Sequence, residues 1–324
     1  MTCKVFVMGG EHDGWALDIE VRLLKSIIKN VEFTNLAQAD VVHSVWWEPL
    51  SKIHTDRLAG KKIICQFPGE PARYYQNEKF RQFMPTVGLW ITQTKSAQRQ
   101  FAEMGFVSEY MPYPADLESF YPVPNRTSLL NEKYVIGNFH RDTEWDLRSP
   151  RLEKGPDIFC SIVEELYVMG IPIHILLAGP RRHYIRNRFK KIGVPYTYIG
   201  EETDAEDYPS AILSSAAMNR LYHTIDLYLI TSRSEGGPRA ILEAASTKTP
   251  ILTTDVGLAE IVHPMCVYTS PQYAAARIVL DYKTKFLSNY LDAHFDTVNT
   301  KHNTESAWQA IKPIYENLNK IPRQ

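Results

Sequence analysis

The chain has 324 residues, 44% of them hydrophobic and 23% charged, too many for one comfortable core and suited to two α/β domains without long disordered or low-complexity segments. Lys plus Arg number 36 against 37 Asp plus Glu, a formal net charge of -1, so no global field draws the chain to nucleic acid or an anionic membrane, and any polyanion site is local. Cys3, Cys65, Cys160 and Cys266 lie far apart without a C-x-x-C pair, which argues for free thiols in a reducing compartment rather than zinc or dithiol chemistry.

The first element is an apolar strand at 4–8 that ends in Gly9-Gly10, too short for a signal-peptide core. No later apolar run approaches the roughly 18 residues of a membrane span. We therefore expect a cytoplasmic protein with no transmembrane segment, peripheral membrane contact being left open. Further strands are expected near 31–34, 41–46, 62–67, 89–92 and 109–113, with helices between most of them, the repeat of a parallel sheet. Residues 114–132 hold Pro114, Pro122 and Pro124 and read as a linker, so the domains are drawn at 1–116 and 133–324 with 117–132 between them. The second set of strands falls near 134–139, 173–177, 196–199, 227–231, 251–254 and 266–268. Helical spacing of apolar residues marks 157–169, 208–222 and 239–247, and a trailing helix is expected at about 305–318. The basic run at 181–191 reads as a solvated helix face rather than a nucleic-acid or membrane surface.

The most informative stretch is 226–262. A buried strand ends at Thr231, a loop holds Ser234-Glu235-Gly236-Gly237, and Pro238 then opens a helix. Proline at a helix start after glycine leaves backbone N–H groups to form an anion site. Glu243 follows eight positions after Glu235, one carboxylate on the loop and the other on the helix. Glu235, Gly236, Glu243, Ala244, Ala245, Pro250, Ile251, Leu252, Asp255, Gly257 and Glu260 together resemble the signature of the retaining GT-B glycosyltransferases of group 1, the superfamily that includes glycogen synthases. That resemblance implies a GT-B α/β fold, two Rossmann-like doubly wound domains facing each other across a cleft, with a C-terminal helix.

The resemblance also implies roles. Glu235 would contact the transferred sugar, Gly236, Gly237 and Pro238 would approach the sugar and diphosphate, and Glu243 would bond the donor ribose. The family's basic pair maps to Lys154, in Lys154-Gly155, and to Arg141 or its rival Arg151, with 142–150 as an insertion. Their charges would neutralise a departing diphosphate. In the first domain the loop after the first strand, with Gly9 and Gly10, takes the place of the family's donor-side glycine loop, and His12 or Asp13 would lie on the acceptor side. No G-x-G-x-x-G, P-loop, H-E-x-x-H, G-x-S-x-G or D-x-D occurs, so neither a cofactor nor a metal is expected. The expected partners are a UDP- or GDP-linked nucleotide sugar and an acceptor hydroxyl on a glycan, a lipid-linked carrier or a small molecule. A DNA-modifying transferase, a non-catalytic scaffold of the same fold and a GT-B-fold epimerase are the competing readings.

Overall fold

The computed structural model describes residues 2–10, 16–124, 126 and 128–324. It divides into two compact units, one formed by Met1–Pro114 with Thr300–Gln324 and the other by Ala115–Asn299. Each contains one six-stranded sheet in which every pairing is parallel.

In the first unit the strands are β1 (Cys3–Met8), β2 (Val31–Phe33), β3 (Val41–Ser44), β4 (Lys62–Phe67), β5 (Leu89–Thr92) and β6 (Ser108–Tyr110), ordered β2-β1-β3-β4-β5-β6. Side chains alternate between faces along a strand, and β4 shows the result. Ile63, Cys65 and Phe67 join one core while Ile64 joins the other. The first core is aromatic, with Phe67 meeting Phe80, Trp90 and Phe101 at centroid distances of 5.1, 6.0 and 5.5 Å. Trp47, the first residue of the helix Trp47–Ser51, is buried there, and Trp46, its cap, is partly covered and packs against the same core. On the other face the helix Thr304–Glu316 lays Ala307, Trp308 and Ile311 against Val5, Val41 and Ile64. Tyr315 bonds His43 Nδ1 at 2.7 Å. The trailing helix forms as expected but completes the first unit, not the second, because this apolar stripe is what covers the sheet face.

The second unit has β7 (Tyr134–Asn138), β8 (Ile173–Ala178), β9 (Tyr196–Ile199), β10 (Leu227–Ile230), β11 (Ile251–Thr254) and β12 (Val267–Tyr268), ordered β12-β11-β10-β7-β8-β9. β7 and β10 are buried along their whole length, and near-continuous apolar strands of this kind belong to parallel sheets covered on both faces. The described residues of 117–132, read as a linker, instead pack on this unit. Arg126 donates to the carbonyls of Lys248, Tyr222 and Ile225 at 2.7, 2.9 and 2.7 Å, and the Tyr121 N–H reaches Asn219 at 3.2 Å. The helix expected over 208–222 is shorter, Ser215–Tyr222, because Ser214 caps it by accepting from the Ala217 N–H.

Candidate functional site

In the second sheet the chain runs outward through β8 and β9 from one side of β7 and through β11 and β12 from the far side of β10. The carboxyl ends of β7 and β10 are therefore its topological switch point, where parallel sheets bind ligands. Arg141 follows β7, and Glu235, Gly236, Gly237, Pro238 and Glu243 follow β10, while close contacts bring in Lys154 and, from the end of β11, Gly257.

The first of these contacts is made by Gly155. Its backbone is left-handed, with φ 62°, and a Cβ there would stand 1.8 Å from the Thr231 carbonyl oxygen. Only glycine lets the turn touch the end of β10. Thr231 Oγ1 then donates to the Lys154 carbonyl at 3.1 Å, and the Arg233 N–H donates to that of Glu153 at 2.7 Å. Lys154 Nζ is thereby held 2.7 Å from Glu235 Oε2, and Ser232 donates to the other oxygen at 2.5 Å. Burial alone would raise the Glu235 carboxyl, but Lys154, His140 and the Lys154 and Ser232 hydrogen bonds outweigh it and hold the group below the usual carboxylate range.

A second glycine supports the same loop from below. Gly257 has φ 46°, and a Cβ on it would lie 2.6 Å from the Gly236 oxygen and 2.8 Å from that of Glu235. Thr254 Oγ1 donates to the Ser232 carbonyl at 2.6 Å. The Asp255-x-Gly257 part of the signature thus shapes the Glu235-Gly236 backbone. After Gly237, Pro238 is the cap, with ψ 109°, and not the first helical residue; the helix runs Arg239–Ser246. Its first turn carries backbone N–H groups that have no preceding turn to bond. One turn further, Glu243 accepts from the Tyr222 hydroxyl at 2.9 Å and stands 3.9 Å from Arg239. Burial raises its carboxyl pKa, and Asp116 adds to the rise.

The segment after β7 brings a residue that the sequence reading did not single out. His140 faces Glu235 and Lys154, its Nε2 3.2 Å from the Tyr228 hydroxyl, and burial pushes its pKa down to about 4. Arg141 turns toward Arg151 and Arg181, and burial together with those two charges lowers its pKa. Arg151 is itself bonded to Glu153, its Nε at 2.6 Å from Oε1.

The basic run is a solvated face only in part: Lys190 and Lys191 are exposed, while most of its arginines are buried. In the helix His183–Ile192 and the turn before it, Arg182 is 0% exposed, Arg181 2% and Arg186 3%. Arg182 donates to Asn138 at 2.8 Å and lies 3.5 Å from Asp142, a fully buried carboxyl that burial raises to about 6. Arg181 is bidentate on Glu206 and stacks on Trp145, 4.0 Å to the ring centroid. Arg188 donates to Glu164 at 2.8 Å. The counter-charges come from distant segments, the inserted 142–150 loop among them, so local charge density did not reveal them.

Gly9 and Gly10 lie in the first unit, at the carboxyl end of β1, where the Val45 N–H bonds the Met8 carbonyl at 3.0 Å. His12 and Asp13 lie outside the described residues. Among the described residues no group of three His, Cys, Asp or Glu is placed to hold a metal ion, and no helix is long and apolar enough to cross a membrane.

Residues 148–279 match the family model of the Glycosyl transferases group 1, a stretch that holds Arg151, Lys154, Glu235, Gly236, Gly237 and Glu243. Solved structures match over nearly the whole chain. HepE of Anabaena, determined in complex with UDP and glucose, has 14% identity and TM-score 0.72 over 98% of this chain and 100% of its own. Sucrose-phosphate synthase from Thermosynechococcus elongatus has 12% identity and TM-score 0.69 over 98% and 99%. A glycosyltransferase from Rickettsia africae has 13% identity and TM-score 0.64 over 99% of both chains. No curated protein sequence matches. The chain has the GT-B fold of two Rossmann-like domains. Within its second unit, the segment 148–279 is similar to the group 1 glycosyltransferases, as the resemblance read from the motif implies.

Proposed function

We propose that this protein is a retaining glycosyltransferase that moves a sugar from a UDP- or GDP-linked donor to an acceptor hydroxyl without a divalent metal. The observation that carries the reading is the Lys154–Glu235 pair, 2.7 Å apart beside the start of the helix Arg239–Ser246, in the segment matched to the family. The presence of UDP and glucose in the HepE structure supports a nucleotide sugar as the partner.

In this reading the helix N-terminus, Lys154 and the Arg141–Arg151 pair take the diphosphate and supply the positive charge that a metal supplies elsewhere. Glu235 sits beside the transferred sugar and stabilises charge that develops at the anomeric carbon as the bond breaks. Glu243 holds the ribose. The acceptor hydroxyl attacks from the face that the diphosphate leaves, and the leaving oxygen takes its proton. The four free cysteines, three of them buried, support a reducing, cytoplasmic setting. Calorimetric titration with UDP and GDP, with and without EDTA, tests the donor site. Binding of one of them that is indifferent to EDTA is expected, and binding that appears only with Mn²⁺ would contradict the metal-free reading.

A further inference from the structure

Two side chains from different elements converge on the Glu243 carboxylate. Tyr222, at the end of the helix Ser215–Tyr222, is 0% exposed and donates to Oε2 at 2.9 Å. Arg239, four residues back on the helix of Glu243, holds its Nε 3.9 Å from Oε1, an ion pair rather than a hydrogen bond. The side chains of that pair are only 13% and 18% exposed, and charges there act on each other more strongly than at an open surface.

Neither placement is explained by the stability of the helix Arg239–Ser246. A cation in the first turn opposes the helix dipole, and Arg before Glu is the weaker order for a pair four residues apart. Tyr222 is clamped from two sides. Its carbonyl accepts from Arg126 Nη2 and from Thr249 Oγ1, each at 2.9 Å, and its ring stands edge-on to Phe120 and Phe139 at centroid distances of 6.0 and 5.3 Å. The hydroxyl thus meets Glu243 from a ring with little freedom to turn. An ionised carboxylate has about four acceptor positions, so these two partners leave others for ribose hydroxyls.

We propose that Tyr222 and Arg239 are positioning residues that orient the Glu243 carboxylate for the ribose of the donor. The inference rests on the reading of Glu243 as the ribose contact. Asp116 and Tyr228 also face this carboxyl, and the charge of Asp116 opposes its ionisation. Burial raises the Glu243 carboxyl, while Arg239 and then the Tyr222 hydrogen bond hold it down. Loss of either partner therefore raises it further, and binding that needs the carboxylate fades at a higher pH.

Calorimetric titration with UDP and GDP between about pH 5 and 8 tests the assignment. Tyr222→Phe and Arg239→Gln should each weaken binding about threefold to tenfold at neutral pH, the size of one hydrogen bond. Each should also move the acid-side loss of affinity to higher pH, the ionisation of the nucleotide itself being common to all variants. In the Glu243→Gln background the same two substitutions should change affinity by less than about twofold, because the group they position is gone. Melting temperature and far-UV circular dichroism identify a variant that has lost its fold, and the other of the two then carries the test. Wild-type affinity and pH profile in both variants, or losses as large in the Glu243→Gln background as in the wild type, would overturn the inference. A wild type that binds neither UDP nor GDP would instead overturn the donor reading on which it rests.

Discussion

Lys154 carries two separable consequences at the scale of single residues. In the proposed function its charged hydrogen bond to a phosphate is worth about 1.5 to 3 kcal/mol, so Lys154→Ala should weaken UDP or GDP binding roughly tenfold to more than a hundredfold in calorimetric titration. The same substitution also removes the largest influence that lowers the Glu235 carboxyl, leaving burial to raise it. A carboxyl whose folded pKa is depressed adds stability that is present above its unfolded pKa and lost as the pH falls through the folded value. In Lys154→Ala that contribution shrinks, and the acid-side loss of stability should begin at higher pH. Urea unfolding of wild type and variant between about pH 3 and 6 measures it; coincident curves would mean that the pair does not set the ionisation of Glu235. Among these residues Glu235 and Glu243 were legible in the sequence because a dense signature fixes their spacing, and Lys154 because it precedes Gly155 as in the family's basic pair, although the spacing of that pair differs. His140 was not, since nothing in the sequence distinguishes it from its neighbour Arg141 until the fold shows which way each one turns.

Among the elements, the loops at the carboxyl ends of β7 and β10 are held by close backbone contacts that glycine alone permits. Gly257→Ala would place a methyl group 2.6 Å from the Gly236 oxygen in a left-handed conformation. The cost is about 1 to 3 kcal/mol, part of it taken up by displacing Glu235. The variant should melt at a lower temperature and lose more in kcat than in nucleotide affinity, because in the proposed function the loop carries the sugar contact and the helix carries the ribose contact. A variant that melts lower with unchanged kcat would place the role of Gly257 in stability alone. The central strands were readable almost to the residue, since fully buried parallel strands leave apolar runs between turn residues, while the edge strand expected at 109–113 is Ser108–Tyr110. The helix His183–Ile192 and the turn before it were misread because their arginines are paired by Asp142, Glu164, Glu202 and Glu206, and partners that distant in sequence leave no local trace.

For the whole molecule the chain order does not follow the units, because Thr300–Gln324 returns to the first of them. Trp308, 5% exposed, belongs to the core that also contains Val5, Val41 and Ile64, so Trp308→Ala should cost about 3 to 5 kcal/mol. Calorimetric unfolding should show that loss in the transition of the first unit while the affinity of the second for UDP or GDP persists. Equal loss in both would mean that the two units unfold as one. The linker and the trailing helix were the parts of the architecture that the sequence misplaced, since neither proline content nor helical periodicity says which sheet a segment covers. The central claim, transfer with retention through Glu235, is tested most directly by following ¹H NMR of the anomeric proton during turnover of α-linked UDP- and GDP-sugars in the presence of EDTA. The account predicts an α-configured first product from the wild type and a rate reduced by orders of magnitude in Glu235→Gln; a β-configured first product, or wild-type turnover by Glu235→Gln, would contradict it.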